Sequence, residues 1–284
     1  MSVISTQQIT KAMKMVAAAK LRRAQDRIIQ MRPYANKLSV ILSNVSSGVE
    51  DDLINIYAAQ KPKEKVLLVV VSSDRGLCGA FNSTVFKGTL SLIEEKYQEQ
   101  KGNDNVYILP IGKKAYDYFK KRKYHLIDDY AGLFGDLNFD DARKAAEFAM
   151  DGFKSGEFDV VEIIYNEFKN VATQILRKEQ FLPVTPTENE TDTDTSNIDY
   201  IFEPTKETII KELIPKSLKV GFYKALLESN ASEQGARMTA MDKATENASE
   251  LLKELRLTYN RTRQAAITKE ILEIVGGAEA LSNN

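Results

Sequence analysis

The segment with the clearest potential for chemistry is Asp74-Arg75-Gly76-Leu77-Cys78-Gly79, which follows a β-branched run and precedes a helical pattern. Phosphates bind at such places because free backbone N–H groups point outward where a helix begins. Gly76 and Gly79 match neither G-x-G-x-x-G nor G-x-x-x-x-G-K-[ST], two glycine patterns that hold nucleotides. The sequence therefore favours a tight strand-to-helix turn over a phosphate site.

Cys78 and His125 are the single cysteine and the single histidine of the chain. Cys78 as a nucleophile would need a base partner, and the sequence identifies none. One cysteine excludes an internal disulfide and suits a reducing compartment. A single histidine leaves little material for a histidine-based metal site, and at the start of a predicted strand it is more often structural. We therefore predict no catalytic residues, no metal and no cofactor.

Basic side chains cluster near the start of the chain. Residues 1–49 carry a balance of +7, from eight Lys/Arg and Asp26, whereas residues 50–204 come to −9 and residues 205–284 to +1. If these basic residues lie on a helix, that helix could bind nucleic acid. No aromatic residues interleave the charges, however, so a solvated or protein-facing helix is favoured. The cations of its core are Lys11, Lys14, Lys20, Arg22, Arg23, Arg27 and Arg32.

A second polar group, Arg261-Thr262-Arg263-Gln264, lies near the other end of the chain. Cations there can simply complement the dipole at the C-terminal end of a helix. If that end of the helix projects from the domain, the same side chains are placed to bind a partner. The pattern leaves both readings open.

Length and composition exclude several classes of protein. The 284 residues can hold two domains, or one domain and an extended element. A hydrophobic content of 43% and a charged content of 28% indicate a folded protein rather than a disordered one. There is no apolar run of about eighteen residues to span a membrane. The first residues lack the apolar core of a secretory signal.

A long helix is predicted from about Phe222 to Ala280, because apolar and small residues recur there with heptad spacing. A helix of this length reaches roughly 90 Å. The compact part of the chain would be only about 35–40 Å across, so the helix must project from it. The heptad positions are Leu227, Ala231, Gln234, Met238, Met241, Thr245, Ala248, Leu252, Leu255, Tyr259, Thr262 and Ala266.

A second long helix is predicted over residues 6–50. Pro33 should kink this helix rather than end it, because the pattern resumes after it. Two long helices with incomplete apolar stripes are expected to pair antiparallel as a coiled coil. The stripe is assigned to Ile9, Met13, Val16, Lys20, Ala24, Arg27 and Met31, with Ala17, Leu21 and Ile28 widening it.

Between the helices, strand and helix patterns alternate, which predicts an α/β fold with a mostly parallel sheet. Short turns separate the last two strands, so that pair is expected to be antiparallel. Predicted strands are 65–71, 106–111, 125–130, 159–165 and 171–181. One predicted helix follows the loop after the first strand and ends near residue 100, and two others cover 113–121 and 140–154.

The acidic, threonine-rich segment 183–199 is predicted to be a mobile surface loop, and Pro204 and Pro215 punctuate the approach to the last helix. The chain thus divides into an N-terminal helix (1–55), a central α/β domain (56–204) and a C-terminal helix (205–284).

Three motifs resemble the gamma subunit of the F-type ATP synthase. The first is Gln8 to Lys20, QITKAMKMVAAAK, and the second is the Ser72–Gly79 loop. The third combines ASEQ at 231–234 and ARMTAM at 236–241 with YNRTRQA at 259–265. The motifs occur in the order of that family and cover both ends and the middle. Members of the family usually have several more residues before the position of Val3, so the first helix is expected to be short at its tip.

The resemblance implies a non-catalytic rotor shaft. It implies a coiled coil inside a ring of alpha and beta subunits, with a Rossmann-like α/β domain near a ring of membrane c subunits. An epsilon subunit is a further implied partner, and the implied location is the cytoplasmic face of the bacterial inner membrane, without a membrane span or nucleic acid. The implied contacts to beta subunits are Met13, Arg237, Arg263, Gln264, Thr268 and Glu270, and those to the membrane ring are Tyr200 and Glu203.

The resemblance also implies that Met13 lies near residues 263–270.

Two alternative functions remain at this point. One is a small α/β hydrolase or transferase that uses the Gly76–Gly79 loop, and it predicts nucleotide turnover by the isolated protein. The other is a coiled-coil nucleic-acid protein that uses the basic helix, and it predicts salt-dependent DNA binding.

Overall fold

The computed structural model describes residues 2–46, 57, 62–184 and 206–282. Tyr200, Glu203, Pro204 and most of the acidic segment 183–199 lie outside the described residues. No helix of the described part is long and apolar enough to cross a membrane.

The two long helices lie at the two ends of the sequence, and the central domain lies between them. The helices are α1 (Val3–Ser46), α2 (Phe81–Lys96), α3 (Gln98–Gly102), α4 (Lys113–Lys120), α5 (Phe139–Ser155) and α6 (Lys206–Ser282), with a 3-10 turn at Leu133–Asp136. The strands are β1 (Val66–Val71), β2 (Val106–Ile111), β3 (His125–Leu126), β4 (Val160–Phe168) and β5 (Gln174–Leu182).

The five strands form one sheet in the order β3-β2-β1-β4-β5. The first four are parallel to one another, and β5 runs antiparallel to β4, as the sequence predicts. The third strand is shorter than expected and ends at Leu126 rather than at Tyr130. Asp128, Asp129 and Gly132 follow it, and residues of these types favour turns over a strand.

The sheet is covered on both faces, which explains why β1 is a continuous apolar run with every residue buried. Leu67, Val69 and Val71 face a core shared with α5, α6 and α1. Val66, Leu68 and Val70 face a second core formed with α2 and α4. The long helices therefore pack against only one face of the domain.

The helices α1 and α6 pair antiparallel, which confirms the predicted coiled coil. As residue numbers rise along α1, the numbers of their partners on α6 fall. Gln7 Nε2 donates to Ser249 Oγ at 3.0 Å, and Lys14 Nζ lies 2.6 Å from an Asp242 carboxylate oxygen. Further along, Arg32 reaches Glu228. These contacts set one register over the paired length.

The buried seam of α1 differs from the predicted stripe. Ile9, Val16 and Lys20 are exposed, and the buried positions lie one residue further along. Ala24 is buried, and so are Ala17, Leu21 and Ile28, the residues predicted to widen the stripe, so the seam is centred on that side of the helix. The buried positions of α1 are Thr10, Ala17, Leu21, Ala24, Ile28 and Leu38.

The last helix begins well before Phe222, where its heptad pattern starts, and close to the start of the predicted C-terminal helix segment, 205–284. It begins at Lys206 and includes Pro215, which was expected to precede it, and Pro33 likewise lies within α1. Its predicted heptad positions are buried or half-buried as far as Leu252. From Lys253 to Ala278 every side chain is exposed, so this part, which we call the tip, continues for about 40 Å beyond the pairing.

The register contradicts the expected proximity of Met13 to residues 263–270. Because Lys14 pairs with Asp242, Met13 lies at the level of residue 243. Thr268 is about 25 residues further along α6, a helical distance of about 40 Å. Met13 and the tip therefore belong to different levels of the shaft.

Engineered cysteines should report this register. Thr10 and Thr245 face each other across the seam with 2.8 Å between their hydroxyl oxygens. We expect Thr10→Cys with Thr245→Cys to form a disulfide on mild oxidation, seen as a mobility shift in non-reducing electrophoresis. The pair Met13→Cys with Thr268→Cys should not form one, because its α-carbons are far beyond the roughly 7 Å that a disulfide spans. The opposite outcome would contradict the register.

Candidate functional site: the tip of α6 and its junction with the sheet

The loop after β1 is held by α6. Arg237 Nη1 donates to the carbonyl oxygen of Gly76 at 2.6 Å, and Nη2 donates to the carbonyl oxygen of Arg75 at 3.1 Å. The same guanidinium pairs with Glu233, one turn earlier on α6. The planar fork of arginine suits such a set of acceptors. The loop therefore presents carbonyl oxygens to a cation rather than free N–H groups to a phosphate.

The backbone of this loop has positive φ angles at two residues. Gly79 has a φ of +59°, and a Cβ built there would lie 3.8 Å from Cβ of Ala240 on α6. Leu77 has a φ of +66°, which is uncommon for a residue with a side chain. Asn82 stabilises the turn, since its Oδ1 accepts the Ser73 N–H at 3.0 Å. The predicted strand-to-helix turn is confirmed.

Cys78 has the properties of a structural residue. Its side chain is buried beside Phe81 and Ala236, and Asn82 Nδ2 lies 3.3 Å from its sulfur. Burial is the largest effect on the thiol and raises its pKa above the ordinary value. A protonated, covered thiol is a poor nucleophile.

Glu233 is the acidic partner in the junction. Burial raises the pKa of its carboxyl group, and the adjacent Arg237 guanidinium offsets part of that effect. The side chains are only 8% and 12% exposed, respectively. Since a buried carboxylate requires a partner, Arg237 holds both the loop and the charge of Glu233.

A groove of about 720 Å³ lies between α1 and the loops that follow the strands. Met13 and Arg237 both line it, together with Lys20, Asp74 and Arg75. The structure thus brings together two predicted contact residues, Met13 and Arg237, that are 224 positions apart in the sequence. Arg263, Gln264, Thr268 and Glu270 lie apart from them, on the exposed tip.

The tip carries apolar as well as polar side chains into solvent. Contiguous exposed apolar surface of this kind marks an interaction site. The ion pair found on the described part of the tip joins Lys269 to Glu273 at 3.7 Å. The exposed apolar residues are Leu255, Leu257, Tyr259, Ile267, Ile271, Leu272, Ile274 and Val275.

The basic residues of α1 are protein-facing or solvated, as the sequence favours. Lys14 and Arg32 pair with acids of α6, and Arg27 Nη1 donates to the Leu137 carbonyl oxygen at 3.4 Å. His125 is exposed on the short edge strand, with Nε2 2.8 Å from Asp104. Within the described ranges, no cluster of His, Cys, Asp or Glu side chains is arranged to hold a metal.

Comparison with known proteins decides the family. A model of the ATP synthase family matches residues 1–281. The ATP synthase gamma chain of Cytophaga hutchinsonii is 61% identical over 283 residues, which cover 99% of this chain and 96% of that protein.

The chain belongs to the ATP synthase gamma chain family.

Solved structures support the same fold. The central stalk of the Tetrahymena thermophila mitochondrial ATP synthase is 26% identical, with a TM-score of 0.58, covering 84% of this chain and 99% of that one. A chain from the Euglena gracilis mitochondrial enzyme is 24% identical, with a TM-score of 0.65, covering 98% and 91%. As a gamma chain, the protein is a non-catalytic central-stalk subunit, which removes the hydrolase and nucleic-acid alternatives.

The sequence patterns assign no contact to two acidic residues on the part of α6 that packs against the sheet of this gamma chain. Glu228 and Glu233 are buried, although they lie in an ordinary helical pattern. A signal exists, because Glu228 occurs inside the otherwise uncharged run Ala225–Ala231. A lone acid on an apolar helix segment indicates a buried partner.

Proposed function

We propose that this gamma chain couples rotation to ATP chemistry by placing its tip inside a ring of alpha and beta subunits. Its α/β domain would then face the opposite way, toward a ring of membrane c subunits. The observation that carries the proposal is the tip itself. From Lys253 to Ala278 it projects beyond its helical partner and exposes a long series of apolar side chains. Such a surface requires other subunits to cover it.

Arg263 and Gln264 are proposed to bind a loop of one beta subunit. A guanidinium offers five fixed donors and pairs with carboxylates as a fork, so it can hold a loop in one orientation and release it in another. Thr268 and Glu270 follow within two turns of the same exposed helix. Because a single helix is asymmetric, only one of three equivalent beta subunits can face these side chains at a given angle.

Met13 and Arg237 form a second proposed contact at a lower level of the shaft. Their shared groove lies beside the sheet, where both the loop after β1 and α1 are accessible. Contacts at two levels would let shaft angle influence nucleotide affinity at a beta subunit. By thermodynamic reciprocity, bound nucleotide would then bias the shaft angle.

At the other end, Tyr200 and Glu203 are proposed to contact polar loops of the c subunits, with an epsilon subunit as a further partner. The chain would be peripheral at the cytoplasmic face of the inner membrane. Support comes from the family and from the course of α6, which starts at Lys206, directly after this segment. Glu203→Lys should weaken attachment to the membrane ring. Normal attachment and proton-coupled synthesis in that variant would refute this assignment.

The proposed grip is tested by Arg263→Ala combined with Gln264→Ala. Both side chains are exposed, so the isolated chain should keep its helicity, and its free energy of unfolding should change by less than about 0.5 kcal/mol. In the reassembled complex, ATP synthesis and hydrolysis should fall by about tenfold, the effect of losing one charged hydrogen bond.

Arg261→Ala, set against Arg263→Ala alone, provides a matched control, because two residues rotate a helix by about 200° and place Arg261 on the face opposite Arg263. We expect it to retain much more activity than Arg263→Ala. Wild-type assembly and rates in the double variant would leave the grip without support.

A further inference from the structure

Glu228 is a buried carboxylate that joins three separate elements. Its side chain is 2% exposed, whereas its partner Arg32 is 46% exposed. Glu228 itself belongs to α6, Arg32 belongs to α1, and the second partner of Glu228, Phe168, lies at the end of β4. This one side chain therefore joins both helices of the shaft to the sheet.

The contacts use both carboxylate oxygens. Arg32 donates to Oε1 from Nε at 3.1 Å and from Nη2 at 2.9 Å. The backbone N–H of Phe168 donates to Oε2 at 3.3 Å. Because charge-assisted hydrogen bonds have a preferred direction, each contact resists rotation of one element about another.

Most of the surrounding interface is apolar. Phe222, Leu226, Leu227 and Ala231 of α6 pack into the core beneath the sheet. Interdigitation of these side chains restricts the packing angle, and the hydrogen bonds of a buried carboxylate add a directional restraint to it. A second directional contact occurs about 14 Å further along the helix, where Arg237 binds the loop after β1.

We propose that Glu228 is a positioning residue that fixes the angle between the α/β domain and the two-helix shaft. Torque applied to the domain would then reach the shaft with little twist at the junction. The inference rests on the coupling role proposed above, and it assigns a mechanical function to an ion pair that touches neither the tip nor the groove of Met13.

The test separates positioning from folding. Replacing a buried ion pair by apolar residues is often neutral for stability, whereas removing one partner is not. Arg32→Met with Glu228→Leu should therefore keep the melting temperature of the full chain close to that of wild type. The directional contacts are lost all the same.

Torsional stiffness is then measured in the reassembled complex of this chain with alpha and beta subunits. A probe is attached through Lys87→Cys, which is exposed on α2, and the buried Cys78 does not compete for the label. With rotation stalled, we expect the variance of the probe angle to be larger than in wild type, because the junction loses its directional contacts.

Lys14→Met with Asp242→Leu is the matched control, because it removes an exposed ion pair between the same two helices. That pair does not contact the sheet, so the variance of the probe angle in this control should equal that of wild type. If Arg32→Met with Glu228→Leu fails to assemble, Glu228→Met replaces it, since methionine keeps the length of the side chain and loses both oxygen acceptors, while Arg32 is 46% exposed and stays solvated. Wild-type variance in an assembled Glu228 variant would overturn the proposal. Rotation of the wild-type complex tests the coupling role independently.

Discussion

Gly112→Ala should prevent the α/β domain from reaching its native structure. Gly112 has a φ of +107°, and a Cβ at this position would lie 2.1 Å from the carbonyl oxygen of Ser72. The clash involves backbone on both sides, so no side-chain rotation relieves it. Gly112 N–H also donates to the Ala131 carbonyl oxygen at 3.1 Å, and Ser72 N–H donates to Ile111 at 2.7 Å. The ends of β1 and β2 are therefore locked together at this glycine.

The expected loss is at least about 4–5 kcal/mol, the range associated with the most disruptive single substitutions. Melting temperature and protease resistance of the purified chain measure it. Gly132→Ala is the control, because a Cβ there meets no atom within 4 Å and its φ is −90°. A melting temperature for Gly112→Ala equal to that of Gly132→Ala would show that the close approach to Ser72 is not required.

Arg237→Ala should produce the second large effect. It removes the donors to Arg75 and Gly76 and leaves Glu233 buried without its cation. Removing one partner of a buried pair lowers the free energy of unfolding by about 3–5 kcal/mol. Denaturant unfolding at neutral pH measures the loss. In the complex, the displaced loop should also impair coupling, since Arg237 lines the groove shared with Met13.

The loss should depend on pH. Burial already raises the pKa of Glu233 in the presence of Arg237, and removing the cation raises it further. A carboxyl group with a raised folded-state pKa favours folding most below its unfolded value of about 4.3, and this contribution disappears as pH rises through the folded-state pKa. The deficit of Arg237→Ala relative to wild type should therefore shrink from pH 8 toward pH 5.

Arg237→Ala with Glu233→Gln supplies the control, because the titrating group is gone. Its deficit should be smaller at pH 8 and nearly independent of pH. If both variants showed the same slope of unfolding free energy against pH, Glu233 would not be the source of the instability.

The periodic parts of the fold could be predicted from the sequence. Heptad spacing in α6 and alternation of strand and helix patterns depend on local order along the chain. On α1 the pattern predicts the buried Ala17, Leu21 and Ile28 but also includes Ile9 and Val16, which are exposed, because periodicity gives the apolar side of a helix and not the line along which a partner packs. Pro215 was placed outside α6 on local rules, yet the helix continues through it.

The junction could not be predicted, because its contacts join distant segments. Arg32 and Glu228 are 196 residues apart, and Arg237 and Gly76 are 161 apart. Neither spacing leaves a periodic trace in one sequence. The family motifs predict that Arg237 contacts a beta subunit, whereas its hydrogen bonds to the loop carbonyls are visible only in the geometry.

The exposed tip of α6 has a consequence for how the shaft acquires its stiffness. A solitary helix receives little support from propensity alone and opens readily at its end, so its amide hydrogens exchange quickly with solvent. Residues 253–278 have no helical neighbour within the described chain. In the proposed complex, their rigidity would therefore come from the alpha and beta subunits around them, so the stiffness of the shaft would be a property of the assembly and not of this chain alone.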